Sequence, residues 1–206
     1  MSKVALTPAE FTLVKFDAEQ VRGLIEQTMV EVGFPTSVDV SVDVDEVLPH
    51  PLTASLVNVA DGTASLWFTG GCFESPQRQT GLSVDHTRVE LGSALLRAKD
   101  RIDGGFADAP PDEEIDDRQR TLWEAYAEGR LHALGFPVRE QRRRYTFRLY
   151  GGFNDVSDAA FERLWSGAPT SWAELNALAD ELAAADTRPE RKKSLRKETL
   201  RPVAAS

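Results

Sequence analysis

A histidine and a glutamate with the spacing of a metal-binding pair lie in the segment DHTRVELGSALLR. His86 and Glu90 are four residues apart, and the apolar periodicity of this segment predicts a helix. Residues at i and i+4 share one face of a helix, so the imidazole and the carboxylate can bind one divalent transition metal together. The alternative is a solvated polar stripe on an amphipathic helix, and we favour that alternative.

The predicted order of elements around this pair, helix, three strands and helix, resembles that of the small zinc-dependent metallopeptidases (zincins). The active helix of that family carries H-E-x-x-H, in which two histidines bind zinc and the glutamate is the general base. The matching residues here are His86-Thr87-Arg88-Val89-Glu90. Threonine therefore replaces the general base and glutamate the second ligand, so the resemblance implies a degenerate relative or a different metal-dependent hydrolase.

A second candidate site is the segment REQRRRYTFRLY, which places five arginines in residues 139–150 of a chain with net charge −9. The candidate binding residues are these arginines and the two tyrosines beside them, namely Arg139, Arg142, Arg143, Arg144, Arg148, Tyr145 and Tyr150. Within this segment the alternation of apolar residues fits a strand, whereas apolar residues at a wider spacing fit a helix. Because the flanking segments are predicted to be helical, we favour a helix.

Three kinds of partner can neutralise these arginines. The preferred one is internal, because six acidic residues lie between positions 108 and 117 and can fold back onto the cluster. The second is a phosphate group or nucleotide, since the guanidinium fork matches phosphate oxygens and the tyrosines can stack on a base. The third is the acidic surface of another protein.

Composition narrows the class of protein. Hydrophobic residues make up 41% and charged residues 28% of 206 residues, which is typical of a globular chain. Cys72 is the only cysteine, which excludes an intrachain disulfide and a multi-cysteine zinc site. No apolar run is long enough for a membrane span, and the amino-terminal segment has no signal-peptide pattern, so a cytoplasmic location is expected. The excess of arginine over lysine is typical of a GC-rich bacterium.

The first half of the chain predicts an α+β module over 1–103. An N-cap at Asp17 begins a helix over about 17–33, and strict alternation over 38–45 predicts a strand with one buried face. Two further strands are predicted at 53–59 and 63–69, with a hairpin at Asp61-Gly62, and a helix over 84–102 closes the module. The expected sheet is small and antiparallel, with about three strands packed by helices.

A mainly α-helical module over 115–185 is predicted to follow an acidic, proline- and glycine-rich linker or loop at 104–114. Its helices are expected at 116–134, at 158–165 and after Ser171, where S-W-A-E fits a capping box. Residues 186–206 are basic and lack apolar periodicity, which predicts a flexible tail.

The preferred function is a non-enzymatic cytoplasmic protein that binds an unidentified protein partner through the arginine- and aromatic-rich helical half. In this hypothesis no cofactor is expected. The first alternative is a metal-dependent hydrolase centred on His86 and Glu90, with one divalent transition metal. The second is a phosphate-ligand or nucleic-acid binder that uses Arg142–Arg148. The acidic net charge argues against general affinity for nucleic acid, except through the arginine cluster or the basic tail.

Overall fold

A four-stranded mixed sheet forms one layer of the structure, a computed structural model that describes residues 2–75, 78–169 and 171–186. Its strands run in the order β1-β2-β4-β3. The β1–β2 and β2–β4 pairs are parallel, and the β3–β4 pair is antiparallel. The bounds are β1 (Val4–Thr7), β2 (Asp39–Asp45), β3 (Ser55–Ala60) and β4 (Thr63–Thr69).

The α+β class is confirmed, but the prediction of a purely antiparallel sheet of about three strands is wrong. The missed strand, β1, has only four residues before Pro8 and is joined to β2 through helix α1 (Ala18–Glu31), so the two strands run in the same direction. The hairpin at Asp61-Gly62 is present, with φ of 49° and 74°. It places β4 between β2 and β3, and β4 consequently pairs with β2 in parallel.

The sheet carries the alternation that the sequence predicts. Val40, Val42 and Val44 are buried, at 1%, 0% and 2% exposure, and Asp39 and Asp43 are exposed on the other face. Helix α1 begins after Asp17, whose side chain accepts the backbone N–H of Gln20. A two-stranded sheet, β5 (Glu74–Ser75) and β6 (Arg78–Leu82), then leads into helix α2 (Val84–Ile102), which Ser83 caps.

Four helices follow: α3 (Asp117–Ala133), α4 (Glu140–Gly151), α5 (Asp155–Trp165) and α6 (Trp172–Ala185). Asp116 and Gln119 form a reciprocal capping box at the start of α3, and Ser171 caps α6 by accepting the N–H of Glu174. The arginine-rich segment is helical, as its neighbours indicated. Helix α5 begins three residues earlier than predicted, because the Asn154 side chain caps it by accepting the N–H of Ser157.

Two apolar clusters hold these layers together. The first fills the space between the sheet, α1 and α2, and includes Leu131 of α3 and Phe136. The second is the interior of the helical half, where Trp123 stacks on Phe106 from the loop before α3. Packing between α2 and α3 joins the halves, so functional side chains from both halves can face one another.

Within the described ranges 2–75, 78–169 and 171–186, none of the helices has the length and apolar character needed to cross a bilayer. The predicted basic tail lies outside the described residues, except for Asp186.

Candidate functional site

A cleft of about 690 Å³ opens where β3, α2, α3 and α4 meet. Each helix contributes residues spaced about one turn apart, which is the pattern of a single face. The loop before β3 and the first residue of that strand contribute Thr53, Ala54 and Ser55. The cleft contains His86 and Glu90 together with Arg139, Arg142, Arg143 and Tyr150, so it combines the two separate sites that the sequence suggested.

His86 and Glu90 lie on the wall formed by α2, with Ser93 one turn further along. His86 Nε2 is 3.7 Å from Glu90 Oε1, and the two side chains are 19% and 25% exposed. The ring nitrogen Nδ1 lies 3.4 Å from the backbone carbonyl oxygen of Glu74. A carbonyl oxygen only accepts, so Nδ1 carries the proton of the neutral ring and the Nε2 lone pair is directed away from Glu74.

Burial shifts the protonation of both groups towards their neutral forms. Burial lowers the pKa of His86, and the nearby charges of Arg142, His50 and Arg139 lower it further, against the hydrogen bond to Glu74. Burial raises the pKa of Glu90 to about 7, and the charge of Glu128 adds to this effect. The pair therefore presents an unprotonated imidazole nitrogen beside a carboxyl group whose pKa is raised towards neutral pH.

Two glutamates of α3 pair with one arginine of α4 in the next wall of the cleft. Arg143 Nη1 lies 2.8 Å from Glu124 Oε2, and its Nη2 is hydrogen-bonded to Glu128. Burial lowers the pKa of Arg143, but Glu128 and Glu124 together raise it above its usual value. The charges of Glu128 and Glu124 add to the burial of Glu90 on α2 in favouring a proton on it, and the charge of Arg143 opposes them.

The structure divides the arginine cluster between two faces of α4. Arg139, Arg142, Arg143 and Tyr150 line the cleft. Arg144 pairs with Glu140 and Glu162, at 2.8 and 2.5 Å, and Arg148 pairs with Asp158 at 2.7 Å. Tyr145, 59% exposed, lies edge-to-face with Phe153, and neither residue lines the cleft. Arg143, Arg144 and Arg148 thus pair within the chain, but with acids other than those of 108–117.

The acidic loop is not the partner that the sequence suggested. Its Asp112 is fully buried and pairs with Arg97, Arg101 and Arg120, at 2.6, 2.7 and 3.1 Å. The acids that pair with the arginine cluster come from helices α3, α4 and α5 instead. Helix–helix packing brings those acids beside α4, whereas the loop folds against α2 and β3, where Asp112 also accepts the N–H of Val57.

Arg139 and Arg142 remain without an acidic partner: both are exposed, and neither forms an ion pair with any residue that the structure describes. They lie one turn apart on the cleft-lining face of α4. Two neighbouring guanidinium groups with free donors can hold an anion between them.

The metal-binding role of His86 and Glu90 stays a prediction. Among the described residues, no three side chains of His, Cys, Asp or Glu are grouped as a metal site requires. The 3.7 Å between His86 Nε2 and Glu90 Oε1 is longer than a hydrogen bond, so each group keeps its own protonation state.

Sequence reasoning missed the α3 wall of the cleft. Arg120, Glu124 and Glu128 are spaced four residues apart, so their place on one polar stripe was readable from the sequence. The sequence does not show which part of the protein this stripe faces, because that depends on how α3 packs against α2 and α4.

Comparisons of the chain with protein-family models, curated proteins and solved structures give no match.

Proposed function

We propose that this protein binds a small phosphorylated molecule in the cleft between β3, α2, α3 and α4. The observation that carries the proposal is the pair Arg139 and Arg142, which line the cleft and have no acidic partner among the described residues. A phosphate dianion accepts from both planar guanidinium groups, and charge-assisted hydrogen bonds of this kind are about twice as strong as neutral ones.

A second positive region lies at the β3 side of the cleft. Arg120 and Ser55 line this side, and behind them Arg97 and Arg101 share the single carboxylate of Asp112. Three guanidinium groups around one carboxylate leave a surplus of positive charge, which adds to the attraction of an anion entering the cleft. Hydroxyl groups of Ser83, Ser93 and Thr121 line the cleft between the charged regions and suit the polar part of a ligand.

Replacement of Arg139 and Arg142 together by glutamine tests this proposal. Each lost charge-assisted contact costs about 1.5–3 kcal/mol, so the dissociation constant for inorganic pyrophosphate should rise at least 100-fold. Isothermal titration calorimetry at low and high salt measures the effect, and the remaining affinity should depend less on salt.

The matched control uses the same helix and the same number of arginines. Arg144 and Arg148 face away from the cleft and are already paired with acids, so their joint replacement by glutamine should change the pyrophosphate affinity less than threefold. Equal losses in the two double variants would mean that pyrophosphate responds to net charge alone, and would reject the cleft as the site.

A second candidate function, docking of a protein partner, is supported by one observation on the outer face of α4. Tyr145 and Phe153 are 59% and 58% exposed and contact each other edge-to-face, with ring centroids 6.1 Å apart. Arg148 lies three residues after Tyr145 on α4. Exposed aromatic residues next to arginine are the composition of interaction hot spots.

Replacement of Tyr145 and Phe153 by alanine should remove a partner that copurifies with the wild-type protein from its host. The loss of two aromatic anchors costs about 2 kcal/mol or more each, which is more than 10-fold in affinity per residue. The control is Leu13→Ala with Val47→Ala, two exposed apolar residues outside α4. Retention of the partner by the aromatic variant, or its loss from the control, would contradict docking at this face.

A further inference from the structure

We propose that the cleft hydrolyses phosphomonoesters, with His86 Nε2 as the nucleophile that takes the phosphoryl group and Glu90 as the acid that protonates the leaving oxygen. This inference rests on the proposed function, because it requires the phosphate to lie against Arg139 and Arg142. It goes further by assigning a catalytic reaction to His86 and Glu90 on the α2 wall of the same cleft.

The orientation of the imidazole suits nucleophilic attack. The proton on Nδ1 is directed at the carbonyl oxygen of Glu74, 3.4 Å away, which leaves the lone pair on Nε2. No described residue lies within hydrogen-bonding distance of Nε2, since Glu90 is 3.7 Å away. When Nε2 bonds to phosphorus the ring becomes positively charged, and the Glu74 carbonyl stabilises that charge through the Nδ1–H donor.

Glu90 is one helical turn from His86 and lines the same cleft, so both side chains reach a group held between the walls. A general acid must carry a proton at the working pH. The burial of Glu90 beside Glu128 allows this at neutral pH, because it raises the pKa of the carboxyl group to about 7. The imidazole must instead be unprotonated to act as a nucleophile, and the lowered pKa of His86 keeps it neutral.

The reaction proceeds in two balanced steps. In the first, the Nε2 lone pair forms an N–P bond, the P–O bond to the organic group breaks, and the leaving oxygen takes the proton of Glu90. The products are an alcohol and a phosphohistidine. In the second, water attacks the phosphorus, Glu90 takes one proton from the water, and the N–P bond breaks with return of its electron pair to Nε2. Inorganic phosphate leaves, and both side chains regain their starting state.

The test uses the full chain with p-nitrophenyl phosphate at pH 6.5 in the presence of EDTA. Turnover is expected, and rapid quenching with ³²P-labelled substrate should give an acid-labile, alkali-stable label that mass spectrometry places on His86. His86→Asn should lose both the turnover and the label. His132→Ala is the matched control, because His132 is exposed and its ring lies tilted beside that of Trp165, outside the cleft, and this variant should keep both the turnover and the label.

A second variant tests whether Glu90 protonates the leaving oxygen or has only a structural role. Glu90→Gln should lower the rate of phosphohistidine formation from p-nitrophenyl phosphate, measured by rapid quenching, by about 10²–10⁴-fold, the usual contribution of a general acid. The loss should be much smaller for 2,4-dinitrophenyl phosphate, whose leaving oxygen needs no proton. A merely structural role of Glu90 would lower this rate equally for both substrates, and that result would overturn the assignment.

The outcomes distinguish this inference from the proposed function. Pyrophosphate binding that needs Arg139 and Arg142, without turnover or label on His86, would overturn hydrolysis and leave binding in place. Turnover that disappears in EDTA, returns with zinc or manganese and gives no labelled histidine would also overturn it, in favour of a metal-dependent hydrolase. Absence of both binding and turnover would reject both proposals.

Discussion

Asp112→Asn is expected to lower the free energy of unfolding by about 3–5 kcal/mol, the usual cost of breaking a buried ion pair. Arg97, Arg101 and Arg120 all point at this one carboxylate, and the Arg97 and Asp112 side chains are 1% and 0% exposed. The substitution keeps the shape of the side chain but removes its charge. Three guanidinium groups would then remain close together without an anion.

Urea unfolding at pH 7 measures this effect. The control is Asp158→Asn, which removes an exposed carboxylate paired with Arg148 and should cost about 0–1 kcal/mol. A loss below 1 kcal/mol for Asp112→Asn would show that water or another group compensates the three arginines, and would contradict the buried network.

The pH dependence of the free energy of unfolding, compared between wild type and Asp112→Asn, gives an independent check. Burial raises the pKa of Asp112, but the charges of Arg97, Arg120 and Arg101 together lower it below its usual value. The stabilisation from its charge is therefore fully present above the unfolded pKa of about 3.9 and is lost as the pH falls through the lower, folded pKa. The stability difference between wild type and Asp112→Asn should be constant above about pH 5 and should shrink at lower pH.

Arg143→Gln is expected to have the second-largest effect, a loss of about 3 kcal/mol or more at pH 8. Arg143 pairs with Glu124 and Glu128, its charge also acts on Glu90, and its side chain is 16% exposed. Its removal would leave three carboxylates without a shared guanidinium. Because Glu128 is 8% exposed, repulsion there is weakly screened by solvent.

The loss in Arg143→Gln should also grow with pH, but over a higher pH range than the loss in Asp112→Asn. The charge of Arg143 lowers the pKa of Glu90, so without the arginine that pKa lies further above its unfolded value of about 4.3, and ionisation of Glu90 opposes folding as the pH rises. Denaturant unfolding from pH 5 to pH 8 should show a small difference from wild type at pH 5 and a larger one at pH 8.

Arg144→Gln is the control for this pH series, since Arg144 occupies the next position of α4 and pairs with Glu140 and the exposed Glu162. It should cost about 0–1 kcal/mol at every pH in this range. A pH-independent loss in Arg143→Gln would mean that the lost packing of its side chain dominates, and would contradict the charged wall of the cleft.

Both predictions concern the charge distribution that makes the cleft suitable for a phosphorylated ligand. The Asp112 cluster has one acid for three arginines, and the Arg143 cluster has one arginine for three acids. Neither cluster is neutral in itself. The first attracts an anion and the second favours a proton on Glu90, so the two clusters have complementary effects on a phosphoryl group between them.

Local patterns in the sequence predicted most of the secondary structure. The N-cap at Asp17, the alternation of β2 and the Asp61-Gly62 turn depend on residues only a few positions apart, and each is present as predicted. The i and i+4 spacing placed His86 beside Glu90 for the same reason. These features are determined by backbone geometry and short-range contacts, and tertiary packing did not alter them.

Only the tertiary structure decided the strand directions and the partner of each charged group. β4 pairs with β2 in parallel because β3 lies at the edge of the sheet, and no local pattern specifies that order. The five arginines of 139–150 look alike in sequence, but the rotation of α4 directs Arg139 and Arg142 to the cleft and Arg148 to Asp158. The rotation of a helix follows from packing against residues distant in the chain, so the candidate site became visible only when α2, α3 and α4 were together.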